Sequence, residues 1–462
     1  MNKVFERQNF RQTVGVFIIV FLGMVFSLPA WSVSEKEWTW ALFINADNNL
    51  DSCGVKDQEE LSKIGSSEFR NVVTLIDREK GPATVNYISP GKIEMLENWG
   101  EVDMGNYHEF VRFMEYVARN FPARKYIVTI WNHGSGWKHP KQNPIRGISY
   151  DDSSGNHIST NQLETALKEV TGIIGKKIEI LHFDACLMQM LEVAYASKNH
   201  CRYILASEEI EPGDGAPYDK ILPFLTMEVS TEDFSRHIVD EYVRSYSGGC
   251  QGTEICTQSA VSTENLPALL DAVNGLAKSI SSGQFRRQVL NCIRNVQSYS
   301  DPANVDLMHF TELLAQAEKD QGIQVACQKV SEAFSRAIIA SGSSGSKVKN
   351  SRGLAINLPF DFFLESEYRE LSFSQNSMWP QMIDTLYKSL RFEQISLSLE
   401  KGNSEPLEKL ILSDSAALSP EMNQYFLDKL NFHIFSDLEQ IPNMDKVCYL
   451  LEKLRQVCKK SS

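Results

Sequence analysis

At 462 residues, with 42% apolar and 23% charged side chains, the chain can bury a sizeable core and form two domains or one large domain with appendages. A formal charge of −13 without any basic stripe argues against nucleic-acid binding and fits cationic partners better. Nine cysteines, none in a C-x-x-C pair, argue against a zinc ribbon or thioredoxin-like site and leave at least one thiol free; Cys250 and Cys256 are near enough to pair in an oxidising compartment.

The N-terminus reads as an address. Lys3, Arg7 and Arg11 precede an apolar run over residues 14–26, and Pro29-Ala30-Trp31-Ser32 offers small residues for cleavage. This is the layout of a secretory signal peptide over residues 1–32; the alternative is an uncleaved membrane anchor through residues 14–31. Either way the chain is expected to be exported, secreted or periplasmic, or anchored by that segment.

Residues 39–45 (TWALFIN) form the first expected strand. Asp47, Asn49 and Asp51 then alternate like the opening of an EF-hand loop, but Ser52 stands where glycine is needed and Gln58 where the bidentate glutamate belongs. A helix-cap or loop-shaping role is the better reading. Further strands are expected at 71–77, 126–131, 178–183, 203–207 and 257–262, with a hairpin over 85–96 and a late strand at 353–359. Helices are expected at 57–64, 107–120, from Ser159 or Thr160 to 170, 187–197, 234–246, 264–281, 305–319, 325–340 and 378–390. Residues 138–158 read as a polar loop and 341–351 as a flexible connector. Alternating helices and continuous apolar strands indicate an α/β fold: a mainly parallel sheet with helices on both faces. Residues 396–462 read as a separate helical C-terminal extension.

Two reactive side chains end expected strands. His133, in NHGSGW, follows the strand at 126–131; Cys186, in FDACLM, follows that at 178–183. A helix beginning at residue 187 would lower the Cys186 thiol pKa through its N-terminal partial charge. Taken alone, Cys186 is a core thiol, His133 a hydrogen-bonded loop residue and Asp184 a helix cap. Joined at strand carboxyl ends, Cys186 and His133 instead suggest a nucleophile and its acid–base partner. The Gly134 and Cys186 N–H groups are the candidate oxyanion donors. The acidic run 208–211 reads as a solvated face. His139, His157, His182 and His309 match no metal spacing, and Cys201 is expected to pack against the sheet.

The segments ADNNLD (46–51), NHGSGW (132–137), FDACLM (183–188), SEEIEPGDGAPY (207–218), DLMHF (306–310) and GLAINLP (353–359) resemble, in order, the clostripain family of cysteine peptidases, which has the caspase–gingipain fold. The resemblance spans roughly residues 38–390. It implies His133 and Cys186 as the catalytic dyad, and cleavage after arginine or lysine of peptide and protein substrates. It also implies Asp184 and, less directly, Asp214 as substrate-binding acids. Self-cleavage in the loop after the histidine is implied too, with Arg146 favoured over Lys138 and Lys141. No cofactor is required by the sequence; some family members use calcium, for which no ligands can be assigned here. Ala216, where the family often carries a bulky aromatic, and the segment 257–261 depart from the family pattern. The resulting expectation is an exported cysteine endopeptidase. The alternatives are a non-catalytic peptide-binding protein on the same fold, or a thiol amidase or transpeptidase.

Overall fold

Apolar segments that alternate their side chains between two faces build a nine-stranded sheet at the centre of the molecule. The computed structural model describes residues 34–137, 147–283, 285–400 and 406. In chain order it has β1 (Lys36–Ala46), α1 (Asp51–Ile64), β2 (Arg70–Arg78), the hairpin strands β3 (Ala83–Ser89) and β4 (Lys92–Gly100), α2 (Tyr107–Asn120) and β5 (Ala123–Trp131). A short hairpin of β6 (Ile148–Asp151) and β7 (Asn156–Ile158) comes next, then α3 (Thr160–Ile174), β8 (Ile178–Asp184), α4 (Leu191–Ser197) and β9 (Cys201–Ala206).

Strands β9, β8, β5, β1 and β2 are mutually parallel and form the middle of the sheet. One edge is completed by β3 and β4. The other is completed by strands Cys256–Ser262 and Ile338–Ser344, all antiparallel to their neighbours. Parallel strands must be covered on both faces, and β1 shows how this is done. Trp40, Leu42 and Ile44 point into one apolar layer, where Trp40 meets Phe234 of the helix Thr231–Tyr246 edge-on at 5.9 Å. Ala41 and Phe43 point into the other, where Phe43 meets Phe110 of α2 at 5.4 Å. The helix after the polar loop starts as expected. Ser159 accepts from Gln162 N while the Gln162 side chain accepts from Ser159 N, closing a capping box.

Several expected boundaries move. The stretch expected to be a flexible connector begins inside a strand: residues 338–344 pair with Cys256–Ser262 and extend the main sheet. Its serines and glycines hide the pattern, because backbone pairing at a sheet edge needs no apolar side chains. The late strand is reduced to Ala355–Asn357 and pairs with Asn304–Asp306 in a separate two-stranded ribbon, so the helix expected from 305 begins at Leu307. The helix expected to end at 390 continues to Glu400. The rest of the proposed C-terminal extension, the N-terminal address and the 138–146 segment lie outside the described residues. Among the described residues, no helix is long and apolar enough to cross a membrane. Cys250 is exposed and Cys256 buried, and both are free thiols.

Candidate active site

The geometry of the site starts from one parallel pairing. β5 and β8 run side by side to their carboxyl ends, with Trp131 opposite Asp184. Asn132 N extends the ladder by donating to Asp184 O at 3.2 Å. His133 and Cys186 each stand two residues beyond this last pair, so the topology delivers them to the same sheet edge. The loop carrying His133 lies flush on the turn carrying Cys186. A Cβ on Gly134 would come within 2.4 Å of the Cys186 carbonyl oxygen, and one on Gly136, whose φ is +65°, within 2.5 Å of Met190 Sδ. No other residue type allows so close an approach of the two segments.

Asn132 fixes the start of that loop. Its Nδ2 donates to Asn45 O (2.6 Å) and Tyr150 O (3.1 Å), and its Oδ1 accepts from Tyr150 N (2.6 Å). These bonds join the ends of β1 and β5 to β6. The Cys186 turn is pinned from its other side: Leu187 N donates to Glu209 O, Gln189 N to Ser207 O, and Gln189 Nε2 to Ser259 O. Leu187 is held at a φ of +63°, in the left-handed region that non-glycine residues rarely occupy.

The imidazole of His133 is half-buried, and its Nε2 lies 2.7 Å from Asn49 Oδ1. Burial lowers its pKa, and the nearby Asp152 carboxylate opposes that only in part. The Cys186 thiol is also half-buried and accepts a hydrogen bond from Glu211 N at 3.3 Å. Burial, reinforced by the negative charge of Glu211, pushes its pKa up to about 12. Both shifts run toward the neutral forms. Neither the Gly134 nor the Cys186 N–H donates to the backbone of another described residue. Beside the bridge between Gly134 and Ile148, it is the Ser135 N–H that donates, to Gly147 O.

Beside the cysteine lies a cluster of acids. Asp184 is buried and accepts from the Tyr218 hydroxyl (2.6 Å) and Ala216 N (3.3 Å). Burial and the charge of Asp184 raise the pKa of Glu211, and the same two causes raise that of Asp57, which accepts from Trp131 Nε1 at 2.7 Å. Asp214 stands apart at the exposed rim, paired with Lys56 at 2.6 Å.

A model of the clostripain family matches residues 42–386. The chain belongs to the clostripain family. It is 30% identical over 224 residues to clostripain of Hathewaya histolytica, an alignment covering 40% of this chain and only 42% of that protein. Its fold is similar to that of a secreted C11 cysteine protease from Bacteroides thetaiotaomicron solved in complex with an irreversible peptide inhibitor. That likeness has a TM-score of 0.60 at 20% identity and covers 76% of this chain and 99% of that one. It is also similar to an inactive zymogen C11 protease from Parabacteroides distasonis, with a TM-score of 0.58 at 17% identity over 74% and 99% of the respective chains.

Within this clostripain-family fold, three sequence expectations are corrected. The helix expected from residue 187 begins at Leu191, after an irregular turn, so no helix N-terminus stabilises a Cys186 thiolate. For the same reason Asp184 caps no helix; it is the last residue of β8. The acidic run 208–211 is not a solvated face. Glu208 is buried and accepts from the Tyr299 hydroxyl at 2.6 Å, and the backbone N–H of Glu211 donates to the Cys186 thiol. Reasoning from sequence misses Asn49, Asn132, Asp57 and Glu211 as site residues. For Asn49 a signal exists, in the alternation after β1. For Asp57, whose partner Trp131 is 74 positions away, there is none. His182 is buried in β8 beside Thr129, and Cys201 packs against the sheet as expected. Asp47 and Asp51 are engaged by Ser153 N and Arg78. Arg146 lies outside the described residues. Among the described residues, no group of three His, Cys, Asp or Glu side chains is arranged to hold a metal ion.

A neutral resting dyad has a measurable signature. Alkylation of Cys186 by iodoacetamide, followed by mass spectrometry of its peptide, is expected to accelerate about tenfold per pH unit from pH 6 to 9 with no plateau. A rate already level at pH 6 would reveal a preformed thiolate–imidazolium pair instead. The close approach at Gly134 is equally open to test. Gly134→Ala is expected to cost about 1–3 kcal/mol of folding stability in chemical denaturation through overpacking. Gly172→Ala, where nothing lies within 4 Å of the added methyl, should cost nothing.

Proposed function

We propose that this protein is an exported cysteine endopeptidase that cleaves peptide bonds after arginine or lysine. The observation that carries the proposal is the shared position of His133 and Cys186, each two residues past the last pairing of adjacent parallel strands, beside a buried carboxylate cluster. Family membership supports the same reading. Export is proposed from the signal-like layout of residues 1–32.

In the proposed mechanism Cys186 Sγ attacks the substrate carbonyl carbon while His133 takes the thiol proton. The proton moves as the bond forms, and His133 acts as general base and not as a standing counter-ion, a reading supported by burial that disfavours the charged form of each group. The Gly134 and Cys186 N–H groups donate to the developing oxyanion. His133 then returns its proton to the leaving amine and activates a water molecule, which releases the acyl group. Calcium is assigned no ligands and no step.

Asp184 is the proposed partner for a cationic side chain, since a charge-assisted hydrogen bond is roughly twice as strong as a neutral one. The role proposed for Asp214 is smaller, because Lys56 already neutralises it at the rim. Cys186→Ala and His133→Ala are expected to abolish hydrolysis of a fluorogenic Arg peptide. Asp184→Asn should cost about 1.5–3 kcal/mol, or roughly 10- to 150-fold in kcat/KM, and Asp214→Asn markedly less. Equal rates on peptides with Arg or Leu before the cleaved bond would remove the specificity assignment.

Self-processing at Arg146-Gly147 is proposed from the family resemblance. The mature protein is expected to yield a second N-terminus at Gly147, absent from Arg146→Ala and from Cys186→Ala. A single uncut chain with full activity would end that proposal.

A further inference from the structure

The loop after β1 carries a side chain that the proposed mechanism leaves unused. Asn49 is exposed, yet its Oδ1 lies 2.7 Å from His133 Nε2. The residues around it are fixed by other bonds. Asn48 Nδ2 donates to Tyr150 O (2.9 Å), Asn48 Oδ1 accepts from Leu50 N (2.9 Å), and Asp47 Oδ2 accepts from Ser153 N (3.2 Å). Asp152 N donates to Asp47 O at 2.9 Å. The loop is thus tied to the same β6 segment that Asn132 ties to the His133 loop. Asn49 therefore meets the imidazole from a preorganised frame, and not as a side chain that happens to rest there.

We infer that Asn49 is a positioning residue for His133: its amide oxygen accepts the Nε2 proton, fixes the ring in the Nε2–H tautomer and leaves Nδ1 as the basic nitrogen for the thiol. The inference rests on the proposed dyad and adds a third member to it. With its oxygen turned to the ring, as here, the amide accepts and does not donate, and this orientation matches the Nε2–H tautomer. Being neutral, it orients the ring without giving the imidazolium a charged partner. This agrees with burial that disfavours the charged form of both partners. The titratable groups facing the pair are Asp152 on the histidine side and Glu211 and Glu209 on the cysteine side. A carboxylate in place of Asn49 would be a new anion in direct contact with the ring.

The test is nitrogen NMR of the full chain labelled at histidine, with the His133 signals assigned by their loss in His133→Gln. Above its pKa, wild-type His133 is expected as the Nε2–H tautomer. Asn49→Ala should give a tautomer mixture. Asn49→Asp should keep the Nε2–H form and raise the His133 pKa by about one unit, because an adjacent anion favours the charged ring. In hydrolysis of an Arg peptide, Asn49→Ala should lower kcat about tenfold or more with little change in KM. Asn49→Asp should retain more activity and move the acid limb of the profile to higher pH. An Nδ1–H tautomer in the wild type, or identical spectra in all three proteins, overturns the inference. Failure of the wild type to cleave Arg or Lys peptides would overturn the proposed function, while the NMR outcome would still decide the role of Asn49.

Discussion

The site depends on a single constraint, the parallel register of β5 and β8. Because Trp131 pairs with Asp184 and Asn132 continues the ladder, the two strands leave the sheet together, and the loop after β5 and the turn after β8 arrive at a common edge. A slip of one residue would turn the alternating side chains of either strand into the opposite apolar layer, where they would meet close-packed neighbours of the wrong size and shape. The core thus fixes the register, and the register fixes the pair. The glycines at 134 and 136 complete this by letting the His133 loop lie on the backbone of the Cys186 turn.

The electrostatics of the site stem from that burial more than from any charge placed in it. Half-burial disfavours both the thiolate and the imidazolium, and the surrounding acids add to the cost of a thiolate. A helix dipole would have acted in the opposite direction. It is missing because an irregular turn over residues 185–190, held by Leu187 in a left-handed conformation and by bonds to the strand-end backbone, separates β8 from α4. That turn has a structural purpose visible in its partners. It threads between the end of β9 and the late ribbon, with Gln189 O accepting from Ala355 N and Gln189 Nε2 reaching Ser259. The strained turn leaves the Cys186 N–H without a backbone acceptor among the described residues, and the Gly134 N–H of the facing loop is likewise left without one.

The acids sort by depth. Asp184, Asp57 and Glu211 lie together among tyrosines and a tryptophan; Tyr218 and Trp131 donate to Asp184 and Asp57, while Glu211 Oε1 is buried without a hydrogen-bond partner among the described residues. Asp214 sits outside with a lysine partner in solvent, where an ion pair contributes little. The motif resemblance implies Asp184 and, less directly, Asp214; their surroundings separate the two further.

Much of this protein is legible in its residues. Continuous apolar runs at 39–45, 126–131 and 178–183 announce a buried parallel sheet, since only a strand covered on both sides can be apolar at nearly every position. The residues just beyond the second and third of those runs name His133 and Cys186 as a pair. Hidden from the sequence is anything set by a partner distant in the chain. The edge strand at 338–344 carries no apolar signature through its second half, Asp57 is defined by Trp131, and Asn49 by a histidine 84 positions later. The protonation of the dyad is equally hidden, because it is determined by how much water the assembled fold removes from each group, and no local stretch of sequence carries that quantity.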